Sequence, residues 1–284
     1  MRNQPKRARR VQGTPDRPRV ALTGPAAATG HPFRYHGDMP VPPKMKTVGT
    51  RGEPPLLREA TGEALAAGAR FSETLSHLAP STGISRGVYY FASHAAANEH
   101  QQNGLARAMA LRAKRTAADD STSRPATLAD LEVLLSSLAE HRVDYLLIGG
   151  YALAAHGYVR ATSDIDLLCP ADTLTRERLQ AALSALPDPL ARALEPAWFE
   201  QGGRIRVAHA FVLDVVFNVS DQTYSTLLDH RQWLELAGIP VATVSLEGLL
   251  LTKQTPRPQD GADAQILQQA LADLKPSHSD ATPP

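Results

Sequence analysis

Apolar and polar positions alternate along this chain with two different periods. Leu128, Leu131, Leu134, Leu135 and Leu138 recur at three- and four-residue spacing, which lays one apolar stripe along a helix. Thr127 with Asp130 reads as a capping box with Asp in place of Glu, so the helix is predicted to start there. Val143 to Ile148 is a short, largely apolar run and reads as a buried strand ended by Gly149-Gly150. Tyr151 to His156 then reads as a short helix. Asp164-Ile165-Asp166-Leu167 alternates with period two, so both carboxylates share one face of a strand. Thr173 to Leu186 is a second amphipathic helix, and Gly203–Ala208 and Phe211–Val219 read as two strands. Trp233–Val244 reads as a strand pair broken at Gly238 and Pro240, and Ser245 caps an apolar helix running into Lys253. The sum is an α+β fold (α/β in loose usage): a small mixed sheet with helices packed on one face.

Upstream of this pattern the chain changes character. Residues 1–55 are rich in Pro, Gly, Arg and Lys with few apolar clusters, and are expected to be a disordered basic tail. The bland reading is a solvated tail, or a start placed too early; the alternative is a patch for nucleic acid or an acidic partner. Residues 56–115 read as a helical accessory segment, with Ser93 capping its second helix. Residues 116–126 are a polar linker, 127–275 the main domain, and 276–284 a polar tail. A fragment beginning near Thr122 is therefore expected to fold alone. The net charge of +1 over 284 residues imposes no global basic field, and the single cysteine excludes a disulfide framework. No apolar stretch approaches the length of a membrane span. A cytoplasmic protein that does not enter a membrane is expected.

The chemistry concentrates between Gly149 and Asp166. Two carboxylates about 4 Å apart repel by roughly 4 kcal/mol at an effective dielectric near 20. Such a pair calls for a cation or protonates one member. Mg²⁺ suits it, because the ion keeps coordination positions for water and substrate phosphates. The glycines before the short helix let a ligand approach backbone N–H groups. Asp214, alone among Phe211, Val212, Leu213, Val215, Val216 and Phe217, is an acid in a β-prone run. It either sits half-exposed on an edge strand or faces a metal with Asp164 and Asp166. Asp144 and Asp172 flank strands and read as turn or cap residues. His156 and His209 lack a second histidine at metal-ligand spacing. Cys169 reads as a small buried hydrophobe, and Trp198 and Trp233 as packing or pocket-wall residues.

Gly149-Gly150, a short helix, then Asp164-x-Asp166 on a strand resembles the signature of the polymerase-beta-type nucleotidyltransferases. The similarity is greatest to the minimal bacterial branch that includes abortive-infection and toxin–antitoxin nucleotidyltransferases. It covers about half the chain and implies the nucleotidyltransferase fold for residues 127–275. Lys253, Arg257, Asp260 and Asp263 resemble the Lys…Arg-x-x-Asp-x-x-Asp segment that closes many members of that branch. The resemblance implies Mg²⁺-dependent transfer of a nucleoside monophosphate from an NTP to an acceptor hydroxyl. Two Mg²⁺ ions, with Mn²⁺ as a substitute, would be held by the catalytic residues Asp164, Asp166 and Asp214. Gly149, Gly150, Arg160, Lys253 and Arg257 would bind the nucleotide. The bland readings are a helix-end cation for Lys253 and a helix start for Asp260 and Asp263. The acceptor is open among a tRNA, a protein and a small molecule such as an aminoglycoside, with RNA or protein favoured.

Residues 56–115 are also similar to short partners that accompany such enzymes, which implies a cognate antitoxin or a fused accessory module. The competing class is a non-catalytic, antitoxin-like binding protein on the same scaffold. The enzyme reading expects Asp214→Ala to abolish activity with little loss of metal-free stability.

Overall fold

The side chain of Thr127 accepts from the Asp130 N–H while the Asp130 carboxylate accepts from the Thr127 N–H, so the capping box forms as expected. Helix α3 (Leu128–Glu140) starts there and buries Leu131, Leu134, Leu135 and Leu138. The computed structural model describes residues 55–113, 121–186 and 193–274. Most of the expected basic tail, the first part of the expected linker and the C-terminal tail lie outside them. The described residues all belong to one compact unit, Gly52–Pro284.

The elements that follow are β2 (Leu146–Ile148), α4 (Gly149–Ala155), β3 (Asp164–Leu168), α5 (Thr173–Ser184) and α6 (Pro196–Gln201). Then come β4 (Arg204–Ala208), β5 (Val212–Val216), the small pair β6 (Asn218–Val219) and β7 (Gln222–Thr223), β8 (Arg231–Leu236), β9 (Ile239–Val244), α7 (Leu246–Thr252) and α8 (Pro258–Asp273). Asp172 caps α5 and Ser245 caps α7 through side-chain acceptors. Ahead of α3 lie α1 (Gly62–Ser76), β1 (Gly87–Phe91) and α2 (His94–Ala113). The fold is α+β. Its main sheet has seven strands in the order β1-β4-β5-β3-β2-β9-β8. The β3–β5 and β2–β9 pairs are parallel and the others antiparallel. Its core is the aliphatic set from β2, β3, β5 and β9 packed with α3, α4 and α5.

Residues 56–115 hold more than helix. Gly87-Val-Tyr-Tyr-Phe91 is a strand that pairs with β4 over five residues and extends the main sheet. A short run of aromatic and β-branched residues is typical strand material. Helix α1 lies against α4, where a Cβ added at Gly68 would stand 2.3 Å from the Ala154 Cβ. His156, expected at a helix end, is fully buried; its ring nitrogens lie 2.8 Å from the Leu57 carbonyl and 2.9 Å from that of Val244. The upstream segment is thus stitched to the rest by sheet pairing, helix packing and a buried ring.

Candidate metal and phosphate site

Three carboxylates converge where β3 and β5 run side by side. Parallel pairing puts Asp166 in register with Asp214 and Asp164 in register with Val212. Ile165 and Leu167 point into the core, so the alternation expected of β3 holds. One ligand oxygen from each of Asp164, Asp166 and Asp214 lies within 4.8 Å of the other two. Burial and the neighbouring Asp164 charge push Asp166 up to about 7, against partial relief from Arg204. A cation among these oxygens would remove that penalty.

Asp214 is not left to face the other two alone. β4 pairs antiparallel with β5 and opposes Arg206 to Asp214. Arg206 donates through Nε to Oδ1 at 2.8 Å and through Nη2 to Oδ2 at 2.7 Å. Arg204 Nη1 donates to Oδ2 at 2.8 Å. Three of the roughly four acceptor positions of the carboxylate are therefore occupied. Burial alone would raise Asp214, but its bonds to Arg206 and the two guanidinium charges outweigh it and hold the carboxyl below its ordinary value. The expectation that Asp214→Ala loses little metal-free stability needs correction, because Asp214 is a paired, fully buried anion. The same guanidiniums reach the other acids more loosely, Arg204 to Asp166 at 3.7 Å and Arg206 to Asp164 at 4.0 Å.

The upstream segment supports this arrangement. Arg206 Nη1 donates to His100 Nδ1 of α2 at 3.2 Å, and the Phe91 ring of β1 lies 5.7 Å from the Arg206 guanidinium carbon. Gln101 of α2 donates to Ser163 Oγ at 2.8 Å. Arg204 Nε and Gln101 Oε1 are buried and have no hydrogen-bond partner among the described residues.

Beside the acids open two adjoining cavities of about 190 and 330 Å³. Gly149, Asp166, Arg204, Lys253, Arg257 and Asp260 line both, and Asn98 of α2 closes them. Of the nucleotide-binding candidates, Lys253 and Arg257 therefore do border the carboxylates. Lys253 is buried and paired, at 3.1 Å to Asp260 and 3.0 Å to Asp263. Arg160 also lines the larger cavity, with Nε and Nη2 on the two Asp263 oxygens at 3.1 and 3.0 Å. Asp260 and Asp263 do more than start a helix, because they anchor Lys253 and Arg160 at the cleft wall. Arg257 is half-exposed and lies 3.9 Å from Asp260. Gly149 has φ +69°, and a Cβ there would stand 2.1 Å from Asp166 Oδ2. The close approach this glycine permits is first of all that of Asp166. Gly150 is likewise packed, with a Cβ position 2.7 Å from Thr162 Oγ1.

No protein-family model and no curated protein matches the chain.

The remaining candidates behave as structural residues. Cys169 is buried, and burial pushes its thiol up, away from thiolate chemistry. Trp198 stacks on Tyr90 with centroids 5.8 Å apart. Trp233 is exposed, with the Arg231 guanidinium 5.3 Å from its ring centroid, so it is not a core residue. Arg204, Arg206, Asn98 and Gln101 also line the larger cavity, though none lies in a recognised motif. For the arginines a signal existed. Arg204-Ile-Arg206-Val alternates with period two and precedes the Asp214 strand by a turn of three residues. In a hairpin that spacing can bring both guanidiniums to the face that carries Asp214. Nothing in the spacing tells that α2 returns to the cleft.

Proposed function

We propose that this protein is a metal-dependent nucleotidyltransferase, which moves a nucleoside monophosphate from an NTP to an acceptor hydroxyl. The observation that carries the reading is the in-register pairing of Asp166 with Asp214 beside Asp164, on the wall of a cleft bordered by Lys253, Arg257 and Arg204. Asp164 and Asp166 are the residues that would hold a divalent cation. A bound Mg²⁺ would supply charge neutralisation at phosphoryl oxygens.

The chain's own residues do the rest by position and charge. Lys253, Arg204 and Arg257 line the same cavities as Asp166 and would meet the phosphates there. The amides of Asn98 and Gln101 offer donors and acceptors to the nucleobase. In the transfer, the acceptor oxygen bonds to the α-phosphorus and the bond to pyrophosphate breaks. Asp214 is committed to its arginines, so Asp164, the most exposed of the three acids, takes the hydroxyl proton.

One observation favours the alternative, a non-catalytic binding protein on the same scaffold: the tight pairing of Asp214 with Arg204 and Arg206. The two readings separate in one assay. Full-length protein incubated with each α-phosphate-labelled NTP, Mg²⁺ and cell lysate is expected to label an acceptor, and Asp166→Asn is expected not to. Equal labelling by the wild type and Asp166→Asn would rule out the enzyme reading.

A further inference from the structure

The charge of the three carboxylates is already partly balanced by the protein itself. Three carboxylates with two divalent cations carry a net charge of +1. Here the three carboxylates already hold two guanidiniums, with four contacts between 2.7 and 3.7 Å from Arg204 and Arg206 to Asp214 and Asp166. Adding one divalent cation to that set gives the same +1. Before the nucleotide binds, a second divalent cation would raise it to +3 inside a site where Asp214 and Arg206 are almost wholly buried. Like charges held that close in a poorly solvated site repel strongly. Asp214 also has only about one acceptor position left for any further cation.

We propose that Arg204 and Arg206 act as the fixed counterpart of a second metal ion, so that the centre takes one divalent cation, on Asp164 and Asp166. This rests on the nucleotidyltransferase reading and deepens it. Arg206 is the anchored member, held by Asp214, His100 and Phe91. Arg204 is the one that faces substrate. It lines both cavities, and its Nε has no acceptor among the described residues although its side chain is only 9% exposed. A guanidinium with an unused donor beside a cleft is suited to a phosphate oxygen, which it can bind through more than one N–H. The class of ligand is therefore a nucleoside triphosphate carrying one metal ion, with the second positive charge supplied by protein.

The test is a Mn²⁺ titration of the full-length protein, followed by the electron paramagnetic resonance of free Mn²⁺, with and without an α,β-methylene NTP. One ion bound per chain in both conditions is the expected result. Two ions per chain with the nucleotide would overturn the inference and leave the nucleotidyltransferase reading standing. No bound ion would remove both. As a second measurement, Arg204→Met is expected to bind Mn²⁺ alone several-fold more tightly, because a like charge has gone, and the methylene NTP at least 10-fold more weakly. Unchanged nucleotide affinity in a folded Arg204→Met protein would overturn the role of Arg204.

Discussion

Asp166 and Asp214 are neighbours in register, yet their environments drive them in opposite directions. Asp166 is raised to about 7 and Asp214 is lowered. The difference fixes opposite outcomes for the two Asn substitutions. In the metal-free protein Asp166 binds a proton more readily folded than unfolded, where its value is about 3.9. Its contribution to stability therefore falls as pH rises from about 4 through 7 and stays low above that. Asp166→Asn is expected to raise metal-free stability by roughly 4 kcal/mol at pH 8 and by almost nothing at pH 4. Denaturant melts at the two pH values check this, and a pH-independent effect would show that the carboxylate is not strained. Asp214→Asn should do the reverse. It leaves two buried guanidiniums without their anion, at a cost of about 3–5 kcal/mol. A melt of Asp214→Asn within experimental error of the wild type would mean that the Arg204–Asp214–Arg206 cluster contributes nothing. The carboxylate triad was legible in the sequence because period-two alternation and a lone acid in an apolar run are local patterns. The pairing of Asp214 was not, since it depends on which strand lies beside β5.

At the level of elements, helix α3, its capping box, β3, β5 and the caps of α5 and α7 follow from local spacing and were all readable. The role of the upstream segment was not, because it is decided by contacts between parts of the chain far apart in sequence. β1 completes the edge at β4, and α1 covers α4, all of whose residues are buried. A fragment beginning at Thr122 would expose both the β4 edge and the α4 face, besides losing His100 and Phe91 from Arg206. Exposed edges and apolar faces promote association. The fragment is expected to aggregate or to lack a cooperative melt, and a soluble, two-state fragment would contradict the integrated sheet. Gly68→Val tests the same packing in the intact chain. Its methyl groups have no room over Ala154, so a loss of about 1–3 kcal/mol is expected in a thermal or denaturant melt.

For the whole molecule, strands and helices from distant parts of one unit are brought to a single cleft. β3 supplies Asp164 and Asp166, β5 supplies Asp214, β4 supplies the arginines, α2 closes one side, and the α7–α8 junction brings Lys253. No helix among the described residues is long and apolar enough to cross a membrane. The proposed function requires that this cleft bind a nucleoside triphosphate through a cation held by Asp164 and Asp166. A ligand that binds only the folded state must raise its stability, by about 2.7 kcal/mol at one hundred times its Kd. The most direct measurement is thermal unfolding of the full-length protein and of Asp166→Asn, each with Mg²⁺ alone, NTP alone and both together. The expected result is a rise in Tm for the wild type that needs both components and is absent in Asp166→Asn. A rise that needs no metal, or one of equal size in Asp166→Asn, would contradict a metal–nucleotide site at these carboxylates.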